Sequence, residues 1–225
     1  TVGNGMGYMA NSVAELTIGQ MLNCLRRGIE SDSRMRRGKW DRYVGRDLSL
    51  SSVGIIGYGR IGKTVERKLK GLETGKIYIN DIDPKKLEGY LEGTEILGID
   101  DLLRKSDIVT LHIPMDYKRN SEYNRNFISK RELESMKNNA VLINTSRGGV
   151  INENDLYRHL KENRNFYAAL DVHPIEPYRG KLLELPNCYF TSHLGSCTEE
   201  SSSSIESAAI INIKRYLDGE KNLLV

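Results

Sequence analysis

The chain has 225 residues, 39% hydrophobic and 28% charged, with 5 prolines and a formal net charge of +3. At about 100–200 residues per domain this allows one large or two small domains with a real core, and it excludes a disordered or fibrous chain. No apolar run nears the roughly 18–20 residues that span a bilayer, and so small a net charge does not by itself call for nucleic acid, so neither partner is expected.

Thr1 is preceded by no basic-then-apolar leader, and the sequence reads as a cut from something longer. Cys24, Cys188 and Cys197 stand without ligand-like spacing, which suits a reducing cytoplasm and gives no disulfide framework or metal site to expect. In chain order, Ser12 and Glu15 form a capping-box pair, and Val13, Leu16, Met21, Leu22 and Leu25 follow at helical positions, predicting one long helix over 12–36. Residues 26–46 carry eight Lys/Arg against three Asp/Glu, which reads as a solvated face or a subunit contact.

Val53-Gly54-Ile55-Ile56-Gly57 predicts a buried strand, and Ile61, Val65, Leu69 and Leu72 predict a helix that Gly71 or Gly75 can end. Further strands are expected over 76–80, 107–113, 140–144, 166–171 and 188–191. Helices are expected over 99–105, behind the capping box Ser129–Glu132, over 152–162 and over 199–217. Continuously apolar strands alternating with helices predict a doubly wound α/β fold, a parallel sheet covered on both faces.

Gly57-Tyr58-Gly59-Arg60-Ile61-Gly62 is a GxGxxG that closes a predicted strand and opens a predicted helix. Such a turn needs glycine for its tight bend, for backbone approach to a pyrophosphate and for helix–strand packing, and the anion rests on the positive end of the helix. Asp81 stands near the offset expected for a carboxylate that takes the ribose hydroxyls. It would repel a 2′-phosphate, so NAD is expected rather than NADP, with Asp83 as the nearby alternative acid.

Three later segments each put a reactive group just after a predicted strand, where ligands bind in such sheets. Asn144-Thr145-Ser146-Arg147-Gly148-Gly149 offers a planar guanidinium suited to a carboxylate. Asp171-Val172-His173-Pro174-Ile175-Glu176-Pro177 offers an acid, and Thr191-Ser192-His193-Leu194-Gly195 an imidazole. Taken singly, Arg147 also reads as a surface ion-pair residue, Glu176 as a solvated acid and His193 as a core histidine. Together on the edge that carries a nucleotide fingerprint, they read as one site.

These motifs, with Val13-Ala14-Glu15, Gly38-Lys39-Trp40 and Ser106-Asp107-Ile108-Val109 ahead of His112 and Pro114, resemble the nucleotide-binding (Rossmann) domain of the D-isomer-specific 2-hydroxyacid dehydrogenases over nearly the whole chain. The stretch from His193 to Glu200 looks most like the phosphoglycerate-dehydrogenase branch. The resemblance implies that His193 is the acid/base, Glu176 its hydrogen-bonding partner and Arg147 the anchor of a 2-hydroxy or 2-oxo acid carboxylate. It implies that Asp171 holds the nicotinamide carboxamide and that Arg60, Ile61, His112, Pro114, Thr145, Ser146, Arg147, His193 and Gly195 border the cofactor. It further implies a homodimer whose arm is the 12–36 helix, a helix over 199–217 that crosses between domains, and a substrate domain largely missing ahead of this chain, so that the chain alone turns over poorly. Two positions depart from the family: Ser192 stands where Pro is usual, and His173 where Phe is common. A second function shares the same residues: an NAD(H)-sensing, corepressor-like interaction module. Another Rossmann protein such as a methyltransferase gives Arg147, Glu176 and His193 no joint role.

Overall fold

The computed structural model describes residues 5–115 and 124–218. Its strands are β1 (Val53–Ile56), β2 (Ile77–Asn80), β3 (Thr94–Ile96), β4 (Ile108–Leu111), β5 (Val141–Asn144), β6 (Tyr167–Leu170) and β7 (Cys188–Phe190). They form one sheet in the order β3-β2-β1-β4-β5-β6-β7, parallel at every pairing. Parallel neighbours need crossovers. The helices α3 (Arg60–Gly71), α4 (Ile99–Lys105), α5 (Lys130–Ser135) and α6 (Glu153–Glu162) lie between the strands, with α1 (Gly5–Arg26) and α2 (Gly28–Met35) before the sheet and α7 (Glu199–Leu217) after it. The doubly wound fold expected from the sequence is the fold observed.

Side chains alternate along a strand, so the sheet has a core on each face. On one face Ile55, Ile79, Ile143 and Ala169 pack with Ala14, Ile18 and Met21 of α1 and with Val65 and Leu69 of α3. On the other, Ile56, Leu111, Leu142 and Ala168 pack with Leu103, Leu133, Leu156 and Leu160 of α4, α5 and α6. A strand covered on both faces is apolar at every position, which is why unbroken runs marked these strands in the sequence. Because β2 and β3 lie on one side of β1 and the later strands on the other, a crevice opens at the carboxyl ends of β1 and β4.

Two local expectations are corrected. The helix predicted over 12–36 is two helices, broken at Arg27, whose φ of 53° is left-handed. The carbonyl of Leu25 takes the N–H of Arg46 at 3.1 Å, so the returning chain occupies an acceptor that a continuous helix would use. Ser12 does not cap this helix, which has already begun at Gly5; its Oγ meets Thr198 Oγ1 at 3.0 Å and Ser201 Oγ at 2.8 Å, joining α1 to the start of α7. By contrast, the Ser129–Glu132 box forms, with the Ser129 N–H donating to Glu132 Oε2 at 3.1 Å. The strand β3 had no counterpart in the sequence reading: it is three residues long at the sheet edge, and only Thr94 of it is buried. The final helix spans Glu199–Leu217 as expected.

Candidate active site

Between the last residue of β1 and the first of α3, Gly57-Tyr58-Gly59 makes the whole turn. Gly57 has φ of 92°, and a Cβ there would stand 2.4 Å from the His112 carbonyl oxygen. One on Gly62 would stand 2.3 Å from the Gly57 carbonyl oxygen, so Gly62 packs the helix under the turn. Gly59 is different: its φ is −80° and a Cβ would meet nothing within 4 Å. The space above Gly59 opens into a cleft of about 990 Å³. Every residue predicted to bind the dinucleotide lines this cleft except Gly62.

Asp81 lies at the far end of the cleft. Its Oδ2 accepts the Tyr58 N–H at 2.8 Å and its Oδ1 the Asp83 N–H at 2.9 Å, and Lys86 Nζ lies 3.6 Å from Oδ1. The same carboxylate therefore fixes the glycine turn and faces the cleft. The nearby Asp83 instead caps its own turn, its Oδ1 accepting the Lys85 N–H at 3.1 Å, and is not among the residues that line the cleft. On the opposite wall His112 Nε2 meets Thr110 Oγ1 at 3.0 Å, whereas Nδ1 is buried with no hydrogen-bond partner among the described residues. The open cradle over Gly59, the helix N-terminus beside it, the carboxylate at the end of β2 and this partnerless nitrogen fit a bound dinucleotide.

Burial pushes the His112 imidazole down to about 3. The unfolded chain then takes up a proton near pH 6.5 that the folded chain refuses, so stability is full above about 6.5 and falls as the pH drops from there toward 3. Between pH 7 and pH 4.5 this single group should remove roughly 2–3 kcal/mol. Urea unfolding at the two pH values should show that loss in the wild type and a smaller one in His112→Gln; equal losses would refute the assignment.

The reactive groups come from the ends of β5, β6 and β7. Asn144 folds the first turn: its Oδ1 accepts the Ser146 N–H at 3.0 Å and the Ser146 hydroxyl at 2.7 Å, and its Nδ2 donates to the Arg147 carbonyl at 3.0 Å. Arg147 is left exposed at the cleft with Nη1 donating to the Ser146 carbonyl at 2.6 Å. Thr145 is tied to α1 through Thr17 Oγ1 at 2.9 Å. His193 Nδ1 and Glu176 Oε2 are 3.0 Å apart, both side chains partly open to solvent. The His193 ring beside it holds the Glu176 carboxyl below its ordinary range. With Nδ1 engaged, Nε2 is the nitrogen left for proton transfer to a bound molecule.

His193 itself has φ of 58°, a conformation that costs a side-chain-bearing residue about 1–3 kcal/mol unless its surroundings impose it. Asp171 imposes it. Buried at the end of β6, its Oδ1 accepts the Leu194 N–H at 2.7 Å and the Thr191 hydroxyl at 2.6 Å, and its Oδ2 the Gly195 N–H at 2.9 Å. A Cβ on Gly195 would lie 3.0 Å from that Oδ2, so the close approach favours glycine. With Ser192 in place of proline, the turn is held by these bonds.

The profile of the family described as D-isomer specific 2-hydroxyacid dehydrogenase, NAD binding domain, matches residues 18–195. The chain belongs to this family. It is 37% identical over 213 residues to a D-3-phosphoglycerate dehydrogenase of Methanocaldococcus jannaschii, covering 93% of this chain and 40% of that protein. It is 32% identical to a glyoxylate reductase of Thermococcus litoralis, covering 97% and 67%. Among solved structures, the TT0316 protein of Thermus thermophilus superposes with a TM-score of 0.86 at 27% identity, covering 99% of this chain and 70% of that one. A glyoxylate reductase from Paecilomyes thermophila superposes at 0.83 and 27%, covering 97% and 65%. As a 2-hydroxyacid dehydrogenase NAD-binding domain, the chain thus spans from 40% to 67% of the length of these two sequence relatives.

Some of the site escaped the sequence reading. Asn144 stood inside a motif, but its role as the pin of the Arg147 turn depends on bonds only the fold shows. Lys86 lines the cleft beside Asp81 without any local signal beyond its charge.

Proposed function

We propose that this domain serves NAD(H)-linked interconversion of a small D-2-hydroxy acid and its 2-oxo acid. The observation that carries the reading is the His193–Glu176 pair at 3.0 Å, on the rim of the same cleft that Arg147 and the glycine turn line. When bound, the nicotinamide supplies or accepts the hydride. His193 Nε2–H donates its proton to the carbonyl oxygen in the direction of reduction and takes it back in oxidation. Glu176 holds the Nδ1–H, which fixes the tautomer and the orientation of the ring. Arg147 binds the substrate carboxylate through its planar fork and polarises the neighbouring carbonyl.

Arg147, Glu176 and His193 are all exposed in this chain. That exposure supports a second wall over the substrate, contributed by a further domain, without which the pair works in water and turnover is poor. Leu22, Ile29, Met35, Trp40, Val44 and Leu50 are exposed apolar side chains on α1, α2 and the stretch that follows, which supports these elements as the arm of a homodimer. The deciding experiment is an assay of the full-length protein against glyoxylate, hydroxypyruvate and pyruvate with NADH and NADPH. Turnover with NADH on at least one of them supports the reading; NADH binding without turnover on any 2-oxo acid favours the nucleotide-sensing module instead.

The glycine turn gives a sharper test of the cofactor. Gly59→Ala leaves folding intact, because its methyl group meets no protein atom, but the methyl projects into the cleft and should weaken NADH binding by about tenfold or more. Gly62→Ala drives a Cβ against the Gly57 carbonyl and should cost about 1–3 kcal/mol of stability. Fluorescence titration with NADH and thermal melts separate the two; the reverse pattern would overturn this division of labour.

A further inference from the structure

The segments carrying Arg147, Glu176 and His193 meet at one residue. Gly148, next to Arg147, is packed so closely on His173 that a Cβ there would lie 2.1 Å from the His173 carbonyl carbon and oxygen. The His173 N–H donates to Glu176 Oε1 at 3.2 Å. Its ring Nε2 lies 3.3 Å from the carbonyl oxygen of Thr191, two residues ahead of His193. A carbonyl only accepts, so Nε2 carries the proton and Nδ1 is a bare acceptor. That Nδ1 is buried with no hydrogen-bond partner among the described residues. The ring stacks on Tyr178 at 4.5 Å and leans on Phe190 at 6.0 Å.

Of the three contacts, only the one to Thr191 depends on the side chain. A phenylalanine ring would fill the same slot, keep the stacking and remove a buried nitrogen that has no partner, a change that favours stability. Histidine is therefore the poorer core residue here, and what it adds is the bond to Thr191. We propose that His173 is a positioning residue that holds the His193 turn against Glu176 through its Nε2–H bond to the Thr191 carbonyl. The inference rests on the acid–base reading of the Glu176–His193 pair. The ionisable groups around the ring are Glu176 and the stacked Tyr178 on its own loop and Glu153 from α6, with Cys188 of β7 behind Tyr178.

The test compares the chain with its His173→Phe and His173→Gln variants. A glutamine amide can place an N–H near the position of Nε2 without carrying a ring. In His173→Phe the melting temperature should be unchanged or higher, while the Leu194 and Gly195 amides exchange with solvent about threefold to tenfold faster. The Glu176 carboxyl, followed by carbon NMR, should titrate nearer its ordinary range, because its hydrogen bond to His193 is less well held. His173→Gln should restore both signals toward wild type. The proposal is overturned if His173→Phe matches wild type in both signals, or if His173→Gln is no better than His173→Phe. It is also overturned if a lower melting temperature accounts for the faster exchange. These readouts need neither cofactor nor turnover, so they stand apart from a failure of the dehydrogenase reading, which would appear as no NADH oxidation by the full-length protein.

Discussion

His193→Ala in the full-length protein is expected to lower kcat for its 2-oxo acid by about 10²–10⁴-fold, the usual worth of a positioned proton donor. His193 is one of many residues that line the cleft, with the glycine turn, Asp81 and the β4 end among the others, so NADH affinity should change far less than kcat. Glu176→Gln should lie between the wild type and the alanine variant. It keeps the ring and a group that can touch Nδ1, but a neutral amide oxygen holds the Nδ1–H less strongly than the carboxylate does. Steady-state kinetics with NADH titrations run alongside would decide the matter. If kcat in His193→Ala stayed within about threefold of wild type, proton transfer by this residue would be excluded.

Asp171→Ala should be the most destructive single change at the site. It removes the acceptor of two backbone N–H groups and one hydroxyl that converge on a side chain only 1% exposed. Truncating a buried carboxylate with three donors pointed at it should cost about 3–5 kcal/mol, a fall in melting temperature of roughly 10 °C for a domain of this size. Nothing then compels the φ of 58° at His193, so the turn relaxes and the distance to Glu176 is lost. Asp171→Asn should be intermediate, since its amide oxygen still accepts while its NH₂ faces a donor. A melting temperature within about 2 °C of wild type in Asp171→Ala would show that the clamp contributes little. The role implied by family resemblance, a grip on the nicotinamide carboxamide, concerns the same carboxylate. Loss of NADH affinity beyond the loss of stability would measure that part separately.

What the sequence made legible were features whose cause is local. Val53 to Ile56 had to be apolar throughout because both faces of β1 are covered, and Gly57 and Gly62 answer to a left-handed φ and to backbone closer than a Cβ permits. What stayed hidden depends on partners far along the chain. The helix break at Arg27 follows from Arg46 returning to take the Leu25 carbonyl, and Ser12 bonds to residues 186 and 189 positions away, so its capping-box spacing with Glu15 was coincidental. The edge strand β3 has one buried residue and therefore no hydrophobic signature. At the site, Arg147, Glu176 and His193 announced themselves through reactive chemistry after strands. Of the groups that aim them, Asp171 and His173 act through hydrogen bonds between segments that only the sheet brings together, while Asn144 acts within its own loop, through a turn geometry that residue types alone do not announce.

The hydroxyls of Ser12, Thr198 and Ser201 bear on how α7 is anchored. They weld α1 to the first turn of α7 at the point where the chain leaves the His193 turn. Two helices joined this way turn as one lever. Since α1 packs on the sheet through Ala14, Ile18 and Met21, the chain leaving the His193 turn is held to the sheet by way of that helix.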